Sequence, residues 1–301
     1  MSHEPASPFY ALPAEQADYA RAAAAIFPVP YEGAVSYGEG ASRGPLAIWE
    51  ASQQVELFDH ELLGNPCEAG IATVAFELLD RPLASFAEVE ATIANLLPPL
   101  LADGKFPIML GGDHSVMPPV IPIYLARYPE LGILHIDAHA DLRDQYEKNP
   151  YSHACAIRRA LDHPLCHVAS IGIRNISEEE WEWLQRQTNI SMVWGGSRMR
   201  HEAAWEEAVR AAIAELPQHV YLTIDADGLD PSIMPSTGTP EPGGLSWQQV
   251  CFVLAELFAS RTVVGMDVNE LAPIPALTGP DFLLAKLIYR AIGLKFPPLK
   301  K

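Results

Sequence analysis

The chain of 301 residues is 49% apolar and 19% charged, enough apolar content to offset chain entropy and build a sizeable core, so disorder over most of its length is excluded. No apolar run approaches the roughly 18 residues of a membrane span, and the opening MSHEPASPFYALPAEQADY lacks the basic segment and apolar core of a secretory signal. With 20 Lys and Arg against 38 Asp and Glu, the formal net charge is −18, which argues against nucleic acid or anionic lipid as a partner and suits a cationic small molecule, although an acidic surface also serves solubility alone.

In chain order, residues 1–45 hold scattered Pro and Gly and end in VPYEGAVSYGEGASRGP, which reads as a loop-rich entry segment. Short apolar runs then alternate with longer amphipathic stretches. The runs are FPIML (106–110), GILHID (132–137), VASIGI (168–173), VYLTID (220–225) and VVGMDV (263–268). Helices are expected near 86–101, 116–128, 177–187, 202–216, 247–260 and 280–293. Apolar runs without strict alternation suit strands buried on both faces of a parallel sheet. Repeated strand–helix units indicate an α/β layer fold, and with no Gly- or Ser-rich linker the economical organisation is one domain over 1–301. Cys67, Cys155, Cys166 and Cys251 show no CxxC spacing, so buried thiols in a reducing cytoplasm are expected.

Polar residues gather just past the ends of four runs: GGDHS at 111–115, DAHAD at 137–141, DADGLDP at 225–231 and NELAP at 269–273. Ligands of open α/β sheets bind outside the carboxyl ends of the strands, so four such clusters converge on one crevice. Asp137, His139 and Asp141 stand at alternate positions, as do Asp225 and Asp227, while His114 follows two glycines. Taken singly, an Asp after a strand caps a helix or closes a turn, and a lone His is a hydrogen-bonded core residue. Asp113 and Asp230 are assigned to that plainer role, as caps or as partners that orient ligands. Four carboxylates and two imidazoles together need a cation. Oxygen and nitrogen donors without thiolate favour Mn²⁺ over Fe²⁺, Co²⁺, Ni²⁺ or Zn²⁺. Six donors exceed the needs of one open ion, and a pair about 3.5 Å apart sharing carboxylates accounts for them better.

These motifs, with SHACAIRRA (152–160), SIGIR (170–174), DADGLDPSIMPSTGTPEPGGLSW (225–247) and DVNELAP (267–273), make the chain resemble the ureohydrolases, which include arginase, agmatinase, guanidinobutyrase and formiminoglutamase. The resemblance covers nearly the whole chain. It implies a three-layer α/β/α fold with a mainly parallel central sheet, two Mn²⁺ per chain, and hydrolysis of a guanidino group to urea and an amine. It makes Asp137 and Asp225 bridging ligands, with His114 and Asp141 completing one metal and His139 and Asp227 the other. His153 stands where the family has a proton-shuttling histidine, followed by Ala154 in place of the usual glycine. Glu270 matches the glutamate that faces the guanidinium. Trimers or hexamers are the implied assemblies.

The chemistry agrees with those roles. Guanidinium is a poor electrophile, and two metal ions hold hydroxide at neutral pH. Asp141 orients that nucleophile, Glu270 pairs with the planar cation, and His153 protonates the leaving amine. The stretch LRDQYEKNPYSHA (142–154) lacks the Thr/Ser/Asn cluster with which arginases bind a carboxylate, and GIRNISEEEW (172–181) lacks their Asp-containing segment. Both differences favour agmatine, with putrescine and urea as products. N1-aminopropylagmatine, guanidinobutyrate and arginine are the alternatives. Glu178, Glu179 and Glu180 could face a distal ammonium, or simply favour the dipole of an exposed helix start. Two rivals of other classes are a one-zinc amide deacetylase, which metal stoichiometry separates, and a non-catalytic binding protein, which should have lost a ligand.

Overall fold

The computed structural model describes residues 7–33 and 36–298. Within them, eight strands form one sheet: β1 (Ala24–Val29), β2 (Ile71–Thr73), β3 (Phe106–Gly111), β4 (Leu131–Ile136), β5 (Cys166–Ile173), β6 (Ile190–Trp194), β7 (His219–Asp225) and β8 (Thr262–Asn269). Their order is β2-β1-β3-β8-β7-β4-β5-β6, and every pairing is parallel. Parallel pairing places all carboxyl ends on one edge.

Alternation along the strands sends side chains into two apolar layers. Ile108, Leu110, Leu222 and Ile224 pack on one face with the helices Gly44–Ser52, Glu202–Glu215, Trp247–Ser260 and Gly279–Lys295. Met109, Ile133 and Tyr221 pack on the other with Phe86–Ala102, Ile121–Leu125, Ala156–Leu161 and Glu178–Leu184. The architecture is three-layer α/β/α, as expected. All four cysteines are buried and none forms a disulfide. Among the described residues, no helix is long and apolar enough to cross a membrane.

All five apolar runs are strands. The entry segment is corrected: residues 24–29 form β1, inside the sheet between β2 and β3. Pro28 is tolerated there because the same-side carbonyl of Ile26 already accepts from Val74, beyond the end of β2, so the missing N–H of Pro28 faces no partner strand. Residues 1–6 and 34–35 of that segment, and 299–301 of the FPPLKK tail, lie outside the described residues. The helix expected near 116–128 is broken into 3₁₀ turns at His114–Val116 and Pro118–Val120 and a short helix at Ile121–Leu125. Pro118, Pro119 and Pro122 remove the amide donors that a continuous helix requires.

Register sets the site. Ile136 pairs with Ile224, Asp225 with Asn269 and Leu110 with Val268, so Asp137, Asp225, Asn269 and Gly111 form one row across four neighbouring strands. Gly112, next in line, has no room for a side chain. A Cβ there would stand 1.8 Å from the carbonyl oxygen of Tyr31, and backbone cannot retreat as a side-chain end can. Gly112→Ala is expected to destabilise the fold by at least about 1–3 kcal/mol, read as a Tm several degrees lower in calorimetry. An unchanged Tm would show that the turn has slack.

Candidate metal centre

The imidazole of His114, buried at the start of the turn after β3, points Nδ1 at carboxylate oxygens of Asp225 (3.1 Å), Asp137 (3.3 Å) and Asp141 (3.4 Å). That nitrogen makes no hydrogen bond of proper geometry. A buried ring nitrogen faced by three carboxylates but bonded to none is the arrangement expected around a cation. Its other nitrogen, Nε2, lies 2.8 Å from the hydroxyl of Thr223. Thr223 donates to Asp267 at 2.6 Å, and Tyr221 and Asn269 donate to the same carboxylate at 2.7 Å each. This buried chain locks the ring of His114.

A second group adjoins the first. His139 Nδ1 lies 2.9 Å from Asp227 and 3.6 Å from Asp137. Asp137 therefore turns Oδ2 toward His114 and Oδ1 toward His139. Backbone amides aim the carboxylates: His139 donates to Asp137, Ala138 to Asp227 and Asp227 to Asp225. The alternate spacing of DAHAD and DADG thus serves twice, once for side-chain direction and once for these local turns.

The electrostatics describe a cluster short of positive charge. Burial and the neighbouring Asp137 push Asp141 well above the usual carboxylate range. Burial with Asp227 does the same to Asp225, and burial with Asp225 and Asp113 to Glu270. Asp137 moves the other way: burial opposes ionisation, but the surrounding histidines hold it well below its ordinary value. Burial alone would lower His139, yet its bonds to Asp137 and Asp227 raise it to about 12. Divalent cations would let every carboxylate ionise.

Asp141 and Glu270 share a second peculiarity. Their φ angles are +52° and +63°, a left-handed conformation that costs a residue with a Cβ about 1 kcal/mol or more and persists only where surroundings enforce it. Glu270 is tied by its amide to Gly112 O (2.7 Å) and by its carboxylate to the amide of His114 (2.8 Å). One cleft is lined by Asp141, His153, Asp225, Asp227, Glu270 and Thr239, with Ser36, Tyr37 and Gly38 at its mouth. It continues past His139, Arg143, Tyr146 and Asn175. His153 is half-buried, with Nδ1 3.4 Å from the Ser152 hydroxyl and its ring edge-on to Tyr146 at 6.1 Å. All eight residues singled out in the sequence therefore meet in one place.

Asp113 and Asp230 serve as loop clips, as expected. Asp113 accepts from the amides of Ser115 and Gly33, and Asp230 from those of Ser232, Gly243 and Gly244. His135 was not foreseen. Its Nε2 is 2.8 Å from Asp137 Oδ2 and its Nδ1 3.0 Å from Ser170, and it completes a group with His114, Asp137 and Asp141. The signal was present: His135 precedes Asp137 by two residues and so shares its face. Of the glutamates at 178–180, Glu178 and Glu179 stand exposed in the first turn of the helix, as the helix-dipole reading expects, whereas Glu180 is only 4% exposed, closes a capping box with Ser177 and lines the cleft.

The model of the arginase family matches residues 22–293. The chain belongs to the arginase family. An N(1)-aminopropylagmatine ureohydrolase of Synechocystis sp. is 38% identical over 281 residues, 91% of this chain and 90% of that protein. An agmatinase of Bacillus subtilis is 34% identical over 271 residues, 87% of each chain. The solved agmatine ureohydrolase of Thermoplasma volcanium superposes with a TM-score of 0.81 at 27% identity, covering 98% of this chain and 96% of that one. As an arginase-family ureohydrolase, the chain is a hydrolase of amidine C–N bonds, and guanidino compounds are its substrate class.

Proposed function

We propose that this ureohydrolase converts agmatine and water to putrescine and urea at the Asp137-centred cluster, loaded with two Mn²⁺ ions. The observation that carries the reading is Asp137 itself, which turns one oxygen toward each histidine group. In this reading Asp137 and Asp225 would each serve both ions, with His114 and Asp141 completing one site and His139 and Asp227 the other. The all-oxygen-and-nitrogen donor set favours Mn²⁺. When bound, such a pair supplies a nucleophilic hydroxide at neutral pH.

The chain's own groups do the rest. Asp141 accepts a hydrogen bond from the attacking oxygen and aims its lone pair. Glu270, held rigidly by the amide of His114, pairs with the planar guanidinium and sets its carbon over the nucleophile. A carbon–oxygen bond would form, the bond from that carbon to the alkyl-bearing nitrogen would break as His153 gives that nitrogen a proton, and the proton left on the new hydroxyl would pass to Asp141. Urea and a primary amine result.

Substrate choice rests on what flanks the cleft. After Asp141 stand Leu142, Arg143 and Asp144, with no hydroxyl cluster for an α-carboxylate. Arg143 lies over the ring of Tyr146 at 5.1 Å, and Arg174 is engaged by the carbonyls of Gly172, Asp227 and Glu241. N1-aminopropylagmatine is the second reading, supported by the name of the 38% identical relative. The test is kcat/KM for urea release from agmatine, aminopropylagmatine, arginine, guanidinobutyrate and guanidinopropionate. Agmatine should lead; a higher value for aminopropylagmatine favours the second reading, and no urea from any of them overturns both. The same reading makes 1–301 one catalytic unit, a cytoplasmic homo-oligomer of three or six chains, which sedimentation checks.

Glu270→Gln keeps the shape of the clamp but removes its charge. Leaving a desolvated cation unpaired costs about 2–5 kcal/mol, so kcat/KM should fall at least about thirtyfold. The fall should appear with every guanidine, at unchanged metal content and melting temperature. Near-normal agmatine hydrolysis by this variant would assign the clamp to another residue.

A further inference from the structure

Glu180 lies on the helix that follows β5, yet its carboxylate reaches the loop that follows β4. Oε2 accepts from the amide of Ser177 at 2.8 Å and its hydroxyl at 2.7 Å, the ordinary capping box. Oε1 does something a capping box does not require: it accepts from the amide of Leu142 at 2.9 Å. Leu142 directly follows Asp141, whose left-handed backbone needs outside enforcement. The carbonyl of Asp141 is held from the other side by the amide of Arg158 at 2.9 Å. Between them these two bonds hold both polar ends, C=O and N–H, of the one peptide group that joins Asp141 to Leu142.

We infer that Glu180 is a positioning residue that holds Asp141 in its strained conformation, so that the Asp141 carboxylate faces His114 before any metal arrives. The inference rests on the proposed reading of Asp141 as a ligand and extends it to a side chain on a different element. Glu180 also lines the cleft and lies 3.9 Å from Arg143, but in this account it acts on the metal position through the Leu142 amide. A carboxylate suits the task because both of its oxygens must accept. Gln offers one acceptor oxygen, so Glu180→Gln sets its amide NH2, a donor, against either Leu142 N–H or Ser177 N–H.

The experiment is calorimetric titration of the metal-stripped full chain with Mn²⁺, comparing wild type, Glu180→Gln and Ser177→Ala. Ser177→Ala weakens the same helix cap but leaves the bond to Leu142, and so controls for helix stability alone. Wild type should show two sites. Glu180→Gln should weaken one of them at least about tenfold and leave the other nearly unchanged, lower kcat more than it raises KM, and alter the electron paramagnetic signature of the coupled Mn²⁺ pair. Ser177→Ala should do none of these. Equal effects of the two variants, or wild-type affinities in Glu180→Gln, overturn the inference while leaving the metal pair standing. A wild type that binds no pair removes both. Should Glu180→Gln fail to fold, amide exchange in wild type decides: the Leu142 amide should be protected in the stripped protein, and exchange as fast as an open loop overturns the inference.

Discussion

Asp137→Asn is expected to strip both metal positions at once while the protein still folds. The substitution is nearly isosteric, and the apolar strands on either side of β4 are untouched. Its effect is electrostatic. Asp137 turns one oxygen to His114 and the other to His139, and an amide offers one neutral acceptor where two anionic ones stood. Removing one charged partner from a buried ionic cluster costs about 3–5 kcal/mol, a loss of at least about a hundredfold in affinity. Because the carboxylate is shared, both ions should suffer. Metal analysis after dialysis should find neither site filled, and agmatine hydrolysis should fall below detection at micromolar Mn²⁺. Loss of a single ion would show that Asp137 serves one site only.

His153→Ala is expected to separate chemistry from metal binding. His153 lines the cleft beside Asp141 and Glu270 but contributes to neither histidine group around Asp137. Its removal should lower kcat by about 10²–10⁴, the usual range for a positioned acid–base group, with two Mn²⁺ still bound. Water can partly replace a proton carrier, so added small imidazoles should restore some of the rate. Full activity across the pH range would leave His153 with a structural role, as the edge-on neighbour of Tyr146.

Much of this was legible because function and burial used the same strands. The five recognised strands are continuous apolar runs, and the polar clusters follow them directly, so the chain order of the motifs already implied a common sheet edge. The strands that escaped notice had physical reasons to. β1 reads AAIFPV, where alanines are weak strand formers and Pro28 imitates a loop; only the sheet shows that its missing donor faces past the end of β2. β2 has three residues, too few for any periodicity. β6 is an outer strand, mostly half-buried, and its ISMVW lacks the uniform apolar character of the central strands. In the site, residue type and spacing pointed to the donors, whereas backbone conformation left no trace. Asp141 and Glu270 are left-handed without being glycine, and Glu180 faces inward from a helix start that composition alone would place in solvent. Such features arise from contacts between elements distant in sequence.

The central claim is that a metal pair at the Asp137 cluster hydrolyses a guanidine. It is tested most directly by adding Mn²⁺ stepwise to the stripped protein at concentrations well above the dissociation constants, while urea release from agmatine is followed. The account predicts no activity without metal and a rate that rises until two ions per chain are bound, then levels. A plateau at one ion per chain, or urea release from the stripped protein, would contradict it.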